Sequence, residues 1–370
     1  MQNSKRILVA PLNWGLGHAT RCIPIINALL AHGHQPYIAS DGVALSLLKK
    51  EFPGLPSFKL PSYKITYAKK AKNFKIKILW DSPKVLKAMN KEKKTIKQLV
   101  KEHQLDGIIS DNRLGVFYKK VPCVFITHQL NVLSGNTTWM SSQAHQKIIK
   151  KFDACWVPDV KEKPNLTGKL GHLKKSKINI KYLGPLSRFE KTTAEKKYDL
   201  MVLLSGPEPQ RTILEEKLLE ELQQYEGKIL FVKGKIEKRQ HIKQHKTQKG
   251  CIAIYNFMQS KELQTALNQS AQVLCRSGYT TVMDLAKLEK RAFFIPTPGQ
   301  YEQEYLAKRL QKQNLVPYSN QSDFKFEDLQ RMETFKGLRQ FESDIDYANL
   351  FSLFSKVNEN SEPTSSSLST

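Results

Sequence analysis

His18 is the side chain of this sequence best suited to move a proton. It closes the run Asn13-Trp14-Gly15-Leu16-Gly17-His18, which follows a strand pattern at Lys5 to Ala10 and opens a helical pattern carrying Ile23, Ile26, Leu29 and Leu30. An imidazole whose unperturbed pKa is about 6.5 can serve as a general base near neutral pH. Gly15 and Gly17 let the backbone approach a ligand closely. Two further polar clusters follow strand patterns: Asp111 in SDNRLG, and His128 with Asn131 in THQLN. In open α/β sheets the C-terminal ends of the strands line the ligand crevice. His18, Asp111, His128 and Asn131 are therefore expected to face one cleft, with His18 or Asp111 taking a proton. The glycine run is a poor dinucleotide fingerprint, since Thr20 stands where the third glycine would be.

A second constellation lies between Ala271 and Gln303. The apolar run Val273-Leu274-Cys275 leads into the turn Arg276-Ser277-Gly278. A helical pattern follows with Val282, Leu285, Ala286 and Leu288, and then a strand pattern from Ala292 to Ile295. Free N–H groups at such a helix start attract anions. Asp284, about one turn into the helix, is placed to accept hydrogen bonds from sugar hydroxyls. A nucleoside diphosphate suits this combination of amides and carboxylate. Ser205 and Gly206 repeat the strand–glycine–helix arrangement at the head of a second alternating series.

The elements that must position these groups form two βα series. At 370 residues two cores are expected, because single cores stop growing at roughly 250–300 residues. The expectation is an α/β protein of two Rossmann-like domains, each a parallel sheet flanked by helices, facing across a cleft. We place an N-terminal domain at 1–178, a C-terminal domain at 179–340, a helix crossing back at 341–357 and a disordered tail at 358–370. The net charge is +25, and residues 64–101 contribute thirteen lysines against Asp81 and Glu92. That stretch offers a surface to anionic lipid or to an anionic acceptor. No nucleic-acid-binding signature accompanies the charge. The five cysteines are scattered without a CxxC pair, as in a reducing compartment. His241 and His245 have i,i+4 spacing but no third ligand nearby, so no metal is expected. The apolar run Ile7 to Leu12 is too short for a leader or a membrane span, and a cytoplasmic location is expected, with the lysine-rich stretch available to the inner face of a membrane.

With these motifs in view, the chain resembles the GT-B glycosyltransferases, and among them the MurG-like enzymes that move a sugar from a UDP-sugar to an acceptor, often a lipid. The likeness spans roughly residues 5 to 340 and is sharpest from Cys275 to Asp284. It implies that His18 lies near the reacting centre and that Arg188, in GPLSR, sits beside the nucleotide phosphates. It implies that Met258, in NFM, contacts the base through its backbone, and that Ser277 and Gly278 border the diphosphate. Gln303 and Glu304 would read the sugar hydroxyls. Arg276, Thr281, Asp284, Ser205 and Gly206 complete the implied donor site. Gly15, Gly17, His128 and Asn131 form the implied acceptor side, and Arg21, which has no counterpart in the MurG-like enzymes, is expected to join it. The expected reaction is metal-independent transfer, with no cofactor beyond the UDP-sugar, to a lipid-linked or glycan acceptor. The rival readings are a UDP-sugar 2-epimerase of the same fold, a nucleic-acid binder and a non-enzymatic protein of a glycan pathway.

Overall fold

The computed structural model describes residues 4–63, 83–133, 138–235, 237, 239–339, 341 and 344–355. The expected tail 358–370 and the first part of the lysine-rich stretch, 64–82, lie outside these residues.

Seven strands form the first sheet: β1 (Arg6–Pro11), β2 (Gln35–Ser40), β3 (Ser57–Lys59), β4 (Gly107–Asp111), β5 (Cys123–Ile126), β6 (Ala154–Val157) and β7 (Ile180–Tyr182). All pair in parallel in the order β3-β2-β1-β4-β5-β6-β7. Leu8, Ala10 and Ile108 pack on one face, and Ile7, Val9 and Ile109 on the other. A strand covered on both faces reads as a continuous apolar run. Each such side chain contributes about 1.5–3 kcal/mol on burial.

The second sheet has six strands: β8 (Tyr198–Leu203), β9 (Gly227–Val232), β10 (Ile242–Lys246), β11 (Gly250–Tyr255), β12 (Ser270–Cys275) and β13 (Arg291–Phe294). Their order is β10-β11-β9-β8-β12-β13, parallel except for β10, which runs antiparallel to β11 at the edge. Strand β10 is an exposed, charged edge strand, a common way of blunting a sheet edge. A four-residue separation on a strand spans about 13 Å, so the spacing of His241 and His245 does not make a helix-type metal pair.

Both sheets reverse direction at a defined place. In the first, successive strands run outward on either side of the β1/β4 boundary; in the second the boundary is β8/β12. Loops leaving such neighbouring strands diverge and open a crevice. Those loops begin at Leu12 and Asn112 in one half, and at Leu204 and Arg276 in the other. Between the halves, helix α1 (Gly17–Ala31) approaches the helix Tyr279–Lys287, and one apolar cluster includes Ile23 and Ile26 as well as Val282 and Leu285. Near the C-terminus, the short helix Tyr347–Phe351 and the turn after it return to the first sheet, where Phe354 lies against Gly107 and Ile7.

Candidate active site

A pocket of about 270 Å³ opens between the two reversal points. Leu12, Trp14, Tyr63, Val85, Leu114 and Val132 give it apolar walls, while His18, Arg21, His128, Gln129 and Glu302 bring polar groups to it. Tyr279 and Thr280, from the first turn of the second-half helix, complete the lining.

Asp111 ends β4 and is fully buried. His18 Nδ1 lies 2.8 Å from its Oδ1, and the Arg21 guanidinium grips both carboxylate oxygens through Nε and Nη2. Burial opposes ionisation of Asp111, but Arg21 and His18 outweigh it and hold the carboxyl at about 2. Arg21 Nη2 also lies 2.8 Å from His18 Nδ1. That nitrogen can serve only one partner, and the carboxylate gives the charge-assisted bond. We therefore assign the proton to Nδ1, which leaves Nε2 as the basic atom. Burial, opposed by Asp111, lowers the His18 pKa below its usual value, so the ring is a neutral base at pH 7.

Arg21 also donates to His128 Nδ1 at 3.1 Å. His128 must then carry its proton on Nε2, from which it donates to Glu302 Oε1 at 3.1 Å. Gln129 donates to the other Glu302 oxygen, and His128 stacks on Tyr279 with ring centroids 4.3 Å apart. Burial works against the Glu302 carboxylate, but His128 more than offsets it and the pKa falls below normal. The network Asp111–Arg21–His128–Glu302 thus runs from one half of the molecule to the other.

Several sequence expectations require correction. Asp111 is no base: both its oxygens are occupied and it is held ionised, so it positions His18. Arg21 lines the pocket, but its donors already serve Asp111 and His128. Asn131 does not enter the pocket; its amide donates to the Lys169 carbonyl at 2.6 Å and accepts from Gln146. Arg276 is buried and ties the carbonyls of Ile295, Pro296 and Gln210 at 2.9–3.2 Å, a strut between loops rather than a ligand contact. The Ser277 hydroxyl likewise donates to the Gln303 carbonyl at 2.8 Å. Gln303 accepts from the Thr297 N–H and Glu304 from the Gly299 N–H, which turns both side chains into the preceding loop.

The carboxylate that reaches the pocket is Glu302, which sequence reasoning passed over. The signal available was its place in the first turn of the helix Tyr301–Lys312, just after the Pro-Thr-Pro-Gly turn. Gln129, Tyr279 and Thr280 were missed as well, because nothing local distinguishes them from packing residues.

Among the other donor-side residues, Gly278 is the N-cap of the helix Tyr279–Lys287, and a Cβ there would meet open space. Thr281 is half-buried on the first turn. Ser205 and Gly206 are exposed, and Gly206 takes φ +106°, a conformation glycine adopts without strain. Met258 is half-buried against the main apolar cluster. Asp284 accepts from the Ser187 hydroxyl at 2.6 Å, beside Arg188, whose Nε is buried without a hydrogen-bond partner among the described residues. Burial pushes Asp284 up to about 6 despite the Ser187 hydroxyl and Arg188.

That shift has a stability consequence. The folded pKa exceeds the unfolded value of about 3.9, so the native state loses stability as pH rises through that window. Asp284→Asn should raise stability by about 1–2 kcal/mol at pH 7, allowing for partial exposure, and by almost nothing at pH 4. Urea midpoints at the two pH values measure this; an equal gain at both would contradict it.

Gly17 sits at a close approach of the two halves. A Cβ at this position would lie 2.5 Å from Thr280 Oγ1. Gly17→Ala should destabilise the closed arrangement by about 1–3 kcal/mol, and Thr280→Ala should restore most of the loss. A double-mutant cycle in urea reads the coupling; additive effects would refute the contact.

Residues 209–337 match the glycosyltransferase family 28 C-terminal domain. The chain has the GT-B fold, and its second half is similar to the family 28 C-terminal domain. Among solved structures, MurG of Acinetobacter baumannii aligns over 95% of this chain and 99% of its own at 15% identity and TM-score 0.56. SnogD from Streptomyces nogalater, a glycosyltransferase, aligns over 96% of each chain at 13% identity and TM-score 0.60. The spinosyn rhamnosyltransferase SpnG, solved with thymidine diphosphate, aligns over 95% of this chain and 96% of its own at 15% identity and TM-score 0.58. No match was found among curated proteins. No helix among the described residues of this GT-B protein is long and apolar enough to cross a membrane.

Proposed function

We propose that this protein transfers a hexose or N-acetylhexosamine from a UDP-sugar to an acceptor hydroxyl on a lipid-linked or otherwise largely apolar molecule. The observation that carries this reading is the His18–Asp111 pair at the edge of an apolar pocket, directly across from the Gly278–Thr280 helix start. The acceptor hydroxyl would enter between Trp14, Tyr63, Val85 and Val132. His18 Nε2 would take its proton as the acceptor oxygen bonds to the anomeric carbon and the bond to the diphosphate breaks. One base and one in-line displacement give inversion at that carbon. The charge arriving on the diphosphate would meet the helix N–H groups beyond Gly278 and the loop at Gly206, with Arg188 nearby. Preorganised donors of this kind are worth about 10²–10³ in rate each. Asp284 would hold the ribose, and Glu302 the sugar hydroxyls in exchange for His128 and Gln129.

The transfer proposed here relies on amides and guanidinium to meet the charge on the diphosphate. The apolar walls favour transfer to a second molecule over epimerisation of a sugar nucleotide alone. Leu86, Trp139 and Met140 are exposed on the helices Pro83–His103 and Thr138–Ile149, which also supply Val85 and His145 to the pocket. They suit an acceptor presented at a lipid surface, which flotation with anionic liposomes would test.

A thermal-shift comparison of nucleotides tests the donor. Ligands of the native state stabilise by about 2.7 kcal/mol at a hundred times Kd, so UDP should raise the melting temperature more than ADP, GDP or NAD. Thymidine diphosphate outperforming UDP would redirect the assignment to another pyrimidine nucleotide, and no response to either would reject it. Acceptor-dependent UDP release then tests transfer itself.

A further inference from the structure

The N-terminal edge of the second sheet, opposite the cleft, holds a second pocket of about 330 Å³. It is bordered by Lys191, Lys196, Lys290, Arg291 and Arg339, with Glu289 as the acid among its lining residues. Lys290 is 5% exposed, and its ammonium donates to the Ser270 carbonyl at 2.8 Å and to the Asn268 carbonyl at 3.4 Å. Lys196 donates to that same Asn268 carbonyl at 2.7 Å. Two cations therefore converge on the end of the helix Ser260–Gln269. The dipole there amounts to about half a negative charge, too little to balance both. Glu289 is already engaged by Lys191. Arg291 Nε is buried without a hydrogen-bond partner, and Arg339 makes no ion pair among the described residues. Burial and the neighbouring Lys196 push Lys290 down to about 7, as an uncompensated positive pocket should.

We propose that this pocket binds a small phosphorylated anion, gripped by the Lys196 and Lys290 ammonium groups and by the guanidinium groups of Arg291 and Arg339. An ammonium has three donors, so Lys290 keeps one and Lys196 two after serving the carbonyls. Guanidinium groups match phosphate oxygens bidentately. The volume falls within the range of small-molecule sites, roughly 300–1,000 Å³. The site lies at the far ends of β12 and β13 from Gly278, so it is separate from the cleft and independent of the donor assignment.

The test is calorimetric titration of the full chain with inorganic pyrophosphate at low chloride. A saturable component is expected that is at least tenfold weaker in Arg291→Gln/Arg339→Gln and persists in the cleft variant Arg188→Gln, where only diphosphate held in the cleft would be weakened. Arg339 is exposed, so Arg339→Gln alone should keep the wild-type melting temperature while still weakening binding several-fold. Absence of saturable binding would overturn the proposal. So would binding insensitive to the arginine pair, or lost only in Arg188→Gln.

Discussion

His18→Ala lowers the transfer rate by about 10²–10⁴-fold, while UDP binding stays near the wild-type value. The expectation follows from geometry. Nδ1 faces the Asp111 carboxylate at 2.8 Å and the ring edges the pocket, so the substitution removes the proton acceptor without touching the nucleotide side. Burial lowers the His18 pKa, which keeps the ring basic to lower pH than an exposed histidine. The acid limb of kcat/KM against pH should therefore fall below the ordinary histidine value of about 6.5. Donor-panel kinetics of both proteins across pH 5–8 decide the matter. Undiminished turnover in the variant would remove His18 from the reaction, and an acid limb above that value would contradict the neutral-base assignment.

Arg21→Met destabilises the fold by about 3–5 kcal/mol, the usual cost of leaving a buried charge without its partner. Asp111 is fully buried, and Arg21 bonds both of its oxygens. The sign with pH follows from the depressed carboxyl. Its folded pKa of about 2 lies below the unfolded value of about 3.9. The stabilisation, about 2.5 kcal/mol, is complete above the unfolded pKa and is lost as pH falls from there through the folded one. In Arg21→Met that acid-labile contribution should disappear or reverse, because burial then favours the neutral acid. Urea denaturation at pH 3, 5 and 7 measures both the loss and its slope. A loss under 1 kcal/mol would mean that the carboxylate finds another partner.

His18 and Arg21 show what local pattern can and cannot convey. Their three-residue separation at the start of a helix put both on one side of the same turn, and the strand before them placed that turn at a sheet edge. Nothing near Arg21 indicated that its guanidinium would meet a carboxylate ninety positions away. Asp111 was legible as a polar residue after a strand, yet its role as positioner depended on that pairing. Arg276 illustrates the reverse error: an arginine in a ligand-facing motif turned out to brace three carbonyls, because the loops around it leave those oxygens to be satisfied. Gln303 and Glu304 were drawn into their own loop for the same reason, leaving Glu302 to face the pocket.

The alternation of apolar strands with helical periodicities, and the glycine turns after β1, β8 and β12, were determined by the sequence alone, since those signals arise within a few residues. From them the two-sheet α/β architecture and the places where loops gather follow directly. Tertiary structure decided which side chains converge. The Asp111–Arg21–His128–Glu302 chain joins residues from both halves, the Gly17–Thr280 approach sets how closely those halves meet, and the basic pocket behind β12 collects cations from separate segments. Hydrogen-bond partners and burial are properties of atoms brought together by packing, and packing is the sum of contacts that no local window contains.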